Sequence, residues 1–201
     1  MANAVTIHLI RHEQTKANVE KRYIGRTDQS ILRVNARIMT HQPAIVYGSA
    51  LKRCKETAHL YFPNAHYKRF TGFNELDFGE FEMKTYEDLK DNALYRNWID
   101  NPLFVTPPNG ESFQAFKERV YQTFQQIVQD AGAYTFVVHG GVIRILLAQF
   151  LSNQSFSDVH AAHHTQYTLT WSTLQDVKEG KCCTSFSEVY LMEKDNTSKC
   201  I

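Results

Sequence analysis

Hydrophobic and polar positions along the chain fall into two alternating kinds of pattern. Short apolar, β-branched runs at residues 5–10 (Val-Thr-Ile-His-Leu-Ile), 44–48, 65–70 and 134–138 have the length and composition of buried strands. Between them lie stretches with helical spacing. The clearest covers residues 111–131, where Phe113, Phe116, Val120, Phe124, Ile127 and Val128 return along one face. Residues 49–61 read as a helix capped by Ser49 and stopped by Pro63. Residues 142–151 are apolar nearly all round, as a buried helix is, and residues 13–22 give a polar helical exit from the first strand. Tyr167, Leu169 and Trp171 alternate with Thr168, Thr170 and Ser172, which predicts a strand over 167–174; a last strand follows over 185–192. Strands alternating with helices predict a three-layer α/β/α sandwich around a mainly parallel sheet. From residue 73 to 108 the pattern turns irregular, charged and aromatic, closed by Pro102, Pro107 and Pro108. This excursion is read as a helical lid on a single domain spanning residues 1–201.

A chain of 201 residues is long enough to bury one such core. Its net charge of +1 creates no global field for nucleic acid or an anionic membrane, so any attraction for phosphate must be local. Residues 5–10 are too short for the apolar segment of a secretion signal, and no stretch reaches the length of a membrane span. Cys54 lies in a basic helical stretch, Cys182 and Cys183 are adjacent, and Cys200 stands near the end. Such spacing makes no disulfide framework, and the expectation is a reduced, cytoplasmic protein.

The candidate chemistry sits at strand ends. Arg11 and His12 follow the first strand; His139 follows Val137-Val138 and precedes Gly140-Gly141, where backbone N–H groups at a helix start can face an anion. Arg53 lies just inside the helix after the second strand, and Asn18 stands six residues beyond His12 as a neutral donor. Guanidiniums and a second imidazole give forked, charge-assisted bonds to phosphoryl oxygens, which leaves His12 as the nucleophile. Nearby arginines lower its pKa and keep it neutral. The run Phe73 to Glu82 is rich in carboxylates, and Glu75, flanked by apolar side chains, is the first choice as general acid and later base, with Glu82 the second.

Six ordered segments resemble the histidine phosphatase superfamily (phosphoglycerate-mutase-like) along nearly the whole chain. They are Leu9-Ile10-Arg11-His12-x-x-Thr15 with Asn18; Gly25-x-x-Asp28; Ser49-x-Leu51-x-Arg53-x-x-x-Thr57-Ala58; Asn74-Glu75-x-x-Phe78-Gly79-x-Phe81-Glu82; Pro108-x-Gly110-Glu111-Ser112; and Val138-His139-Gly140-Gly141-Val142-Ile143-Arg144. The resemblance implies a phosphohistidine at His12, a phosphate pocket of Arg11, Arg53 and His139, Glu75 as proton donor, and neither metal nor organic cofactor. Within the superfamily the strings around Glu75 and Asn109-Gly110-Glu111 are most similar to the bacterial α-ribazole phosphatases of cobalamin assembly. That group's substrate is a small phosphate ester; neither nucleic acid nor membrane is an expected partner, and the sequence is silent on oligomeric state. The alternatives are a broad sugar-phosphate phosphatase, a phosphoglycerate-mutase-like enzyme, and, from another class, an inactive phosphate- or protein-binding module.

That last alternative comes from a departure. The family usually carries Gly after the Arg-His pair, and Glu13 stands there, where a carboxylate repels a phosphoryl group unless it points away. Over residues 29–42 the family's Pro-Leu-Thr and its following helix pattern are absent, so an outer helix is expected to be trimmed. His8 reads as a packed strand residue, and His163-His164 as a loop or strand edge rather than a metal site. Tyr86, Tyr95, Trp98 and Phe104 either line a base-binding pocket or form the excursion's own core.

Overall fold

Parallel pairing begins at once. In the computed structural model, which describes residues 3–33, 39 and 41–191, β1 (Val5–Arg11) lies beside β4 (Gly132–Val138) in parallel register, Val5 opposite Gly132 and Arg11 opposite Val138. β2 (Ile45–Ser49) and β3 (His66–Phe70) extend the parallel half beyond β4. On the other side of β1, β5 (Thr165–Trp171) pairs antiparallel with β1 and β6 (Ser185–Tyr190) antiparallel with β5, so the six-stranded sheet is mixed, in the order β3-β2-β4-β1-β5-β6.

The two-residue period of the strands decides which layer each side chain joins. Val5, Ile7, Leu9, Phe136 and Val138 point to the face covered by α5 (Phe113–Ile127) and α6 (Gly140–Phe150). Ile10, Val46 and Val137 point to the opposite face, against α2 (Lys52–Tyr61). Helices on both faces make the three layers.

Several boundaries differ from the sequence expectation for local reasons. After β1 the helix shrinks to α1 (Lys16–Val19), ended as Lys21 takes a left-handed φ of 55°. Ser49 ends β2 instead of capping α2; its hydroxyl accepts from Leu51 N–H and donates to Asn74. The Lys52 N–H at the start of α2 is met by the distant Asp28 carboxylate at 2.9 Å. Past Trp171 the chain turns into α7 (Leu174–Lys178), capped by Thr173. The expected trimmed helix falls largely on residues 34–38 and 40, and Cys200 on the terminus, all outside the described residues.

The excursion over residues 73–108 holds two short helices, α3 (Tyr86–Leu89) and α4 (Ala93–Asp100), besides a 3-10 turn. Phe81, Leu89, Tyr95 and Trp98 form its own small core with Tyr23 and Phe78 against them. Phe104 is 89% exposed and Tyr86 46% exposed, so neither belongs to that core. Among the described residues no helix is long and apolar enough to cross a membrane.

Candidate active site

The β1–β4 register sets the centre. With Arg11 opposite Val138, the next residue of each strand, His12 and His139, leaves the carboxyl edge of the sheet beside the other. Their rings meet edge to face with centroids 5.1 Å apart. In α/β sheets this edge is where ligands bind. His12 Nδ1 lies 2.7 Å from the carbonyl oxygen of Glu13. A carbonyl only accepts, so the proton sits on Nδ1 and the lone pair on Nε2. Burial, then Arg53 and Arg11, hold the His12 pKa well below 6.5, which keeps that lone pair free. His12 is only 2% exposed.

His139 is neutral for the same reasons, burial first and Arg53 next. Its Nδ1 accepts from Arg53 Nε at 3.3 Å, which leaves Nε2–H as a donor. Cys54 is buried with Sγ 3.5 Å from His139 Nε2; burial pushes its thiol up to about 12, so it stays protonated.

Two guanidiniums flank the imidazoles. Arg53, which alone in sequence resembles a solvated helix residue, is fully buried and donates to Thr27 O at 2.8 Å and Gly25 O at 2.7 Å. Arg11 donates Nη1 to Ala161 O at 2.7 Å, while its buried Nε has no hydrogen-bond partner among the described residues. Burial lowers the pKa of both, with Glu75 acting in the opposite direction. Beside the two imidazoles these two guanidiniums supply donors and positive charge to which an anion is attracted.

Glu75 is placed by helix α6. Its Oε2 accepts from Gly141 N–H at 2.9 Å and its Oε1 from Leu76 N–H at 3.0 Å. A Cβ at residue 141 would lie 2.3 Å from Oε1 and 2.9 Å from the Phe116 ring, so only glycine lets the carboxylate approach. At residue 140 a Cβ would press to 3.2 Å on the Arg11 guanidinium carbon. Arg119, on α5, holds the turn that carries Glu75. It grips Glu111 in a forked pair and donates to the carbonyls of Gly72, Asn74 and Glu75. Asn74 ties the same turn to Ser49 and Ala50.

Beside Arg11, Glu75, Gly140 and Gly141 opens a cavity of about 760 Å³. Its other walls are chiefly apolar and aromatic, among them Tyr23, Phe78, Trp98, Phe113, Phe116 and Phe156. Arg144 stacks 3.9 Å over the Phe156 ring and donates twice to its carbonyl. Of the four excursion aromatics singled out in the sequence, Trp98 both lines this cavity and belongs to the local core.

Other candidates take different positions. Glu82 accepts from the backbone of Gly25, Arg26 and Thr27 and from the Thr27 hydroxyl, and so braces the loop that receives Arg53. Asn18 gives its Oδ1 to the Thr15 cap of α1, which leaves its amide nitrogen as a donor. His8 bonds Thr168 across β5. His163, expected as a loop or strand-edge residue, lies in the loop before β5, where its Nδ1 donates to His12 O at 2.8 Å and its ring lies 5.6 Å from that of His12. The sequence reading gave no role to Arg119, or to Arg144 beyond its place in the His139 segment. The bonds of these three residues to His12 O, to the carbonyls of Gly72, Asn74 and Glu75, and to Phe156 O span 12 or more positions of chain, beyond the reach of a local pattern.

A family model described as Histidine phosphatase superfamily (branch 1) matches residues 7–182. An adenosylcobalamin/alpha-ribazole phosphatase of Salmonella typhimurium is 31% identical over 166 residues, 76% of this chain and 82% of that protein. Its namesake in Salmonella typhi is 30% identical over 186 residues, 86% and 90% of the two chains. The crystal structure of the alpha-ribazole phosphatase from Shigella flexneri superposes with a TM-score of 0.74 at 26% identity, covering 84% of this chain and 92% of that one. A putative alpha-ribazole-5'-P phosphatase from Escherichia coli superposes with a TM-score of 0.78 over 94% and 96%, and at 23% identity this speaks to the fold alone.

Proposed function

The chain belongs to branch 1 of the histidine phosphatase superfamily, and on that premise we propose that it hydrolyses α-ribazole 5′-phosphate through a phosphohistidine at His12. The observation that carries the substrate is the cavity beside the cationic pocket. Its volume suits a small-molecule site, and its aromatic walls suit a flat benzimidazole base better than a polyol, whose hydroxyls need polar partners. The relatives named for that substrate agree in direction.

In the first step His12 Nε2 attacks phosphorus, the P–N bond forms and the P–O ester bond breaks, with Glu75 giving its proton to the departing alkoxide. In the second, Glu75 as carboxylate takes a proton from water, which attacks phosphorus and releases inorganic phosphate from His12. Arg11, Arg53, the Nε2–H of His139, the N–H of Gly140 and the Asn18 amide hold the phosphoryl oxygens, where charge is greatest. The free thiols Cys54, Cys182 and Cys183 suit a reducing cytoplasm.

Phosphate release from α-ribazole 5′-phosphate, measured beside ribose 5-phosphate and 3-phosphoglycerate with chelator present, tests the reading. A clear kcat/KM preference for the ribazole ester is expected. Even rates across the panel withdraw the substrate but not the chemistry, and isomerised phosphoglycerate without free phosphate marks a mutase. His12→Ala is expected to abolish turnover with its circular dichroism unchanged; substantial residual activity refutes the covalent route.

A further inference from the structure

One buried ionisable side chain has no part in the chemistry above. Glu13, next to His12 and at a position where the family usually carries Gly, is fully buried. A carboxylate so placed is costly unless partners offset its lost hydration. An element distant in sequence supplies one. The Tyr61 hydroxyl, from the last turn of α2, donates to Oε1. Burial, reinforced by that carboxylate, pushes the phenol's pKa up, so it remains a donor. From the loop before β5, His164 Nδ1 stands 2.7 Å from Oε2 but outside hydrogen-bond geometry, so Oε2 has no hydrogen-bond partner among the described residues. His164 holds a left-handed φ of 57°, a state that persists in a residue with a side chain when its surroundings impose it.

The main chain beside this side chain is held as firmly. Glu13 N–H donates to Thr57 Oγ1 at 2.8 Å, His12 N–H to Val138 O at 2.9 Å, and His12 O accepts from His163. The remaining group, Glu13 O, accepts the Nδ1–H of His12 at 2.7 Å. That bond makes the two nitrogens of His12 inequivalent. If the carbonyl swings away, the proton is free to move to Nε2 and block the attacking lone pair.

We propose that Glu13 is a positioning residue for His12: its side chain, held by the Tyr61 hydroxyl, pins the peptide whose carbonyl selects the nucleophilic tautomer. The inference rests on His12 being the nucleophile.

Long-range proton–nitrogen NMR of the full chain reads the His12 tautomer, and steady-state hydrolysis of a phosphate ester reads kcat and KM. Glu13→Gly removes the anchor and keeps the carbonyl. It is expected to turn a single Nδ1–H tautomer into a mixture and to lower kcat about 10–100-fold, the range for groups that orient a reacting ligand, with KM little changed. Glu13→Gln keeps an acceptor for Tyr61 and is expected to retain the tautomer and kcat within about threefold. Should Glu13→Gly not fold, Tyr61→Phe carries the same test with a loss of the same sign. Wild-type kcat in Glu13→Gly, or a lowered kcat with the tautomer unchanged, overturns the proposal. His12→Ala separates the premise: turnover in that variant sinks the phosphohistidine reading itself. An inactive His12→Ala beside a fully active Glu13→Gly leaves that reading standing and removes Glu13 from it.

Discussion

Glu75→Gln exchanges one oxygen for an amide group on a side chain whose two oxygens each accept a backbone N–H, from Gly141 at 2.9 Å and Leu76 at 3.0 Å. The amide satisfies one of them and presents a donor to the other. An N–H left unpaired in that way costs about 1–3 kcal/mol, at about 2–4 °C of Tm per kcal/mol for a chain of this size. The kinetic effect is larger and selective. A positioned general acid–base contributes about 10²–10⁴-fold, and an alkoxide leaving group needs it most. With an alkyl phosphate both steps slow, and turnover is expected to fall by that factor without a burst. With nitrophenyl phosphate the leaving group departs without help, so phosphorylation stays fast while hydrolysis of the phosphohistidine, which uses Glu75 as base, becomes limiting. Stopped-flow mixing is then expected to show a burst of one nitrophenol per His12, followed by slow release. Equal losses on both esters with no burst would refute proton transfer by Glu75 and leave it a structural acceptor only.

Gly141→Ala drives a Cβ to 2.3 Å from Glu75 Oε1 and against Phe116. It is expected to reproduce the burst while adding about 1–3 kcal/mol of overpacking, read from a denaturant melt; retention of full alkyl-ester turnover would contradict the placement of Glu75. Glu82→Gln weakens the bracing of Gly25, Arg26 and Thr27. A stability loss of about 1–3 kcal/mol without a burst is expected, and a burst would make Glu82 the proton carrier. Stability should also depend on pH. In the fold His12 and His139 titrate well below the 6.5 of an unfolded imidazole, and His163 at about 4, each chiefly through burial. Below that ordinary value the unfolded chain binds more protons than the folded one. Stability is therefore complete above about pH 6.5 and drains as pH falls. Tm is expected to be level from about pH 8 to 6.5 and then to decline; a rise on acidification would show that these imidazoles are not held neutral.

The sequence by itself determined the strands, their faces and the residues at their ends. Val5, Ile7 and Leu9 face one layer and Ile10 the other because a strand's period is two, a property carried by neighbours in sequence. The same locality places His12 one residue past β1 and His139 one past β4, and the apolar stripe of α5 names its buried side. Only the tertiary structure decided what those ends meet. Arg53 is buried where it donates to Gly25 and Thr27, and Glu82 gathers that loop's N–H groups from as far as 57 positions away. Ser49 looks like a helix cap until Asn74 arrives to engage its hydroxyl. Glu13 reads in sequence as a charge beside the nucleophile, and the Tyr61 hydroxyl donates to its carboxylate instead. His163 reaches His12 across 151 positions. Periodicity and capping are short-range and written in neighbouring residues, whereas these bonds depend on strand register and on loops that converge only once the sheet has closed.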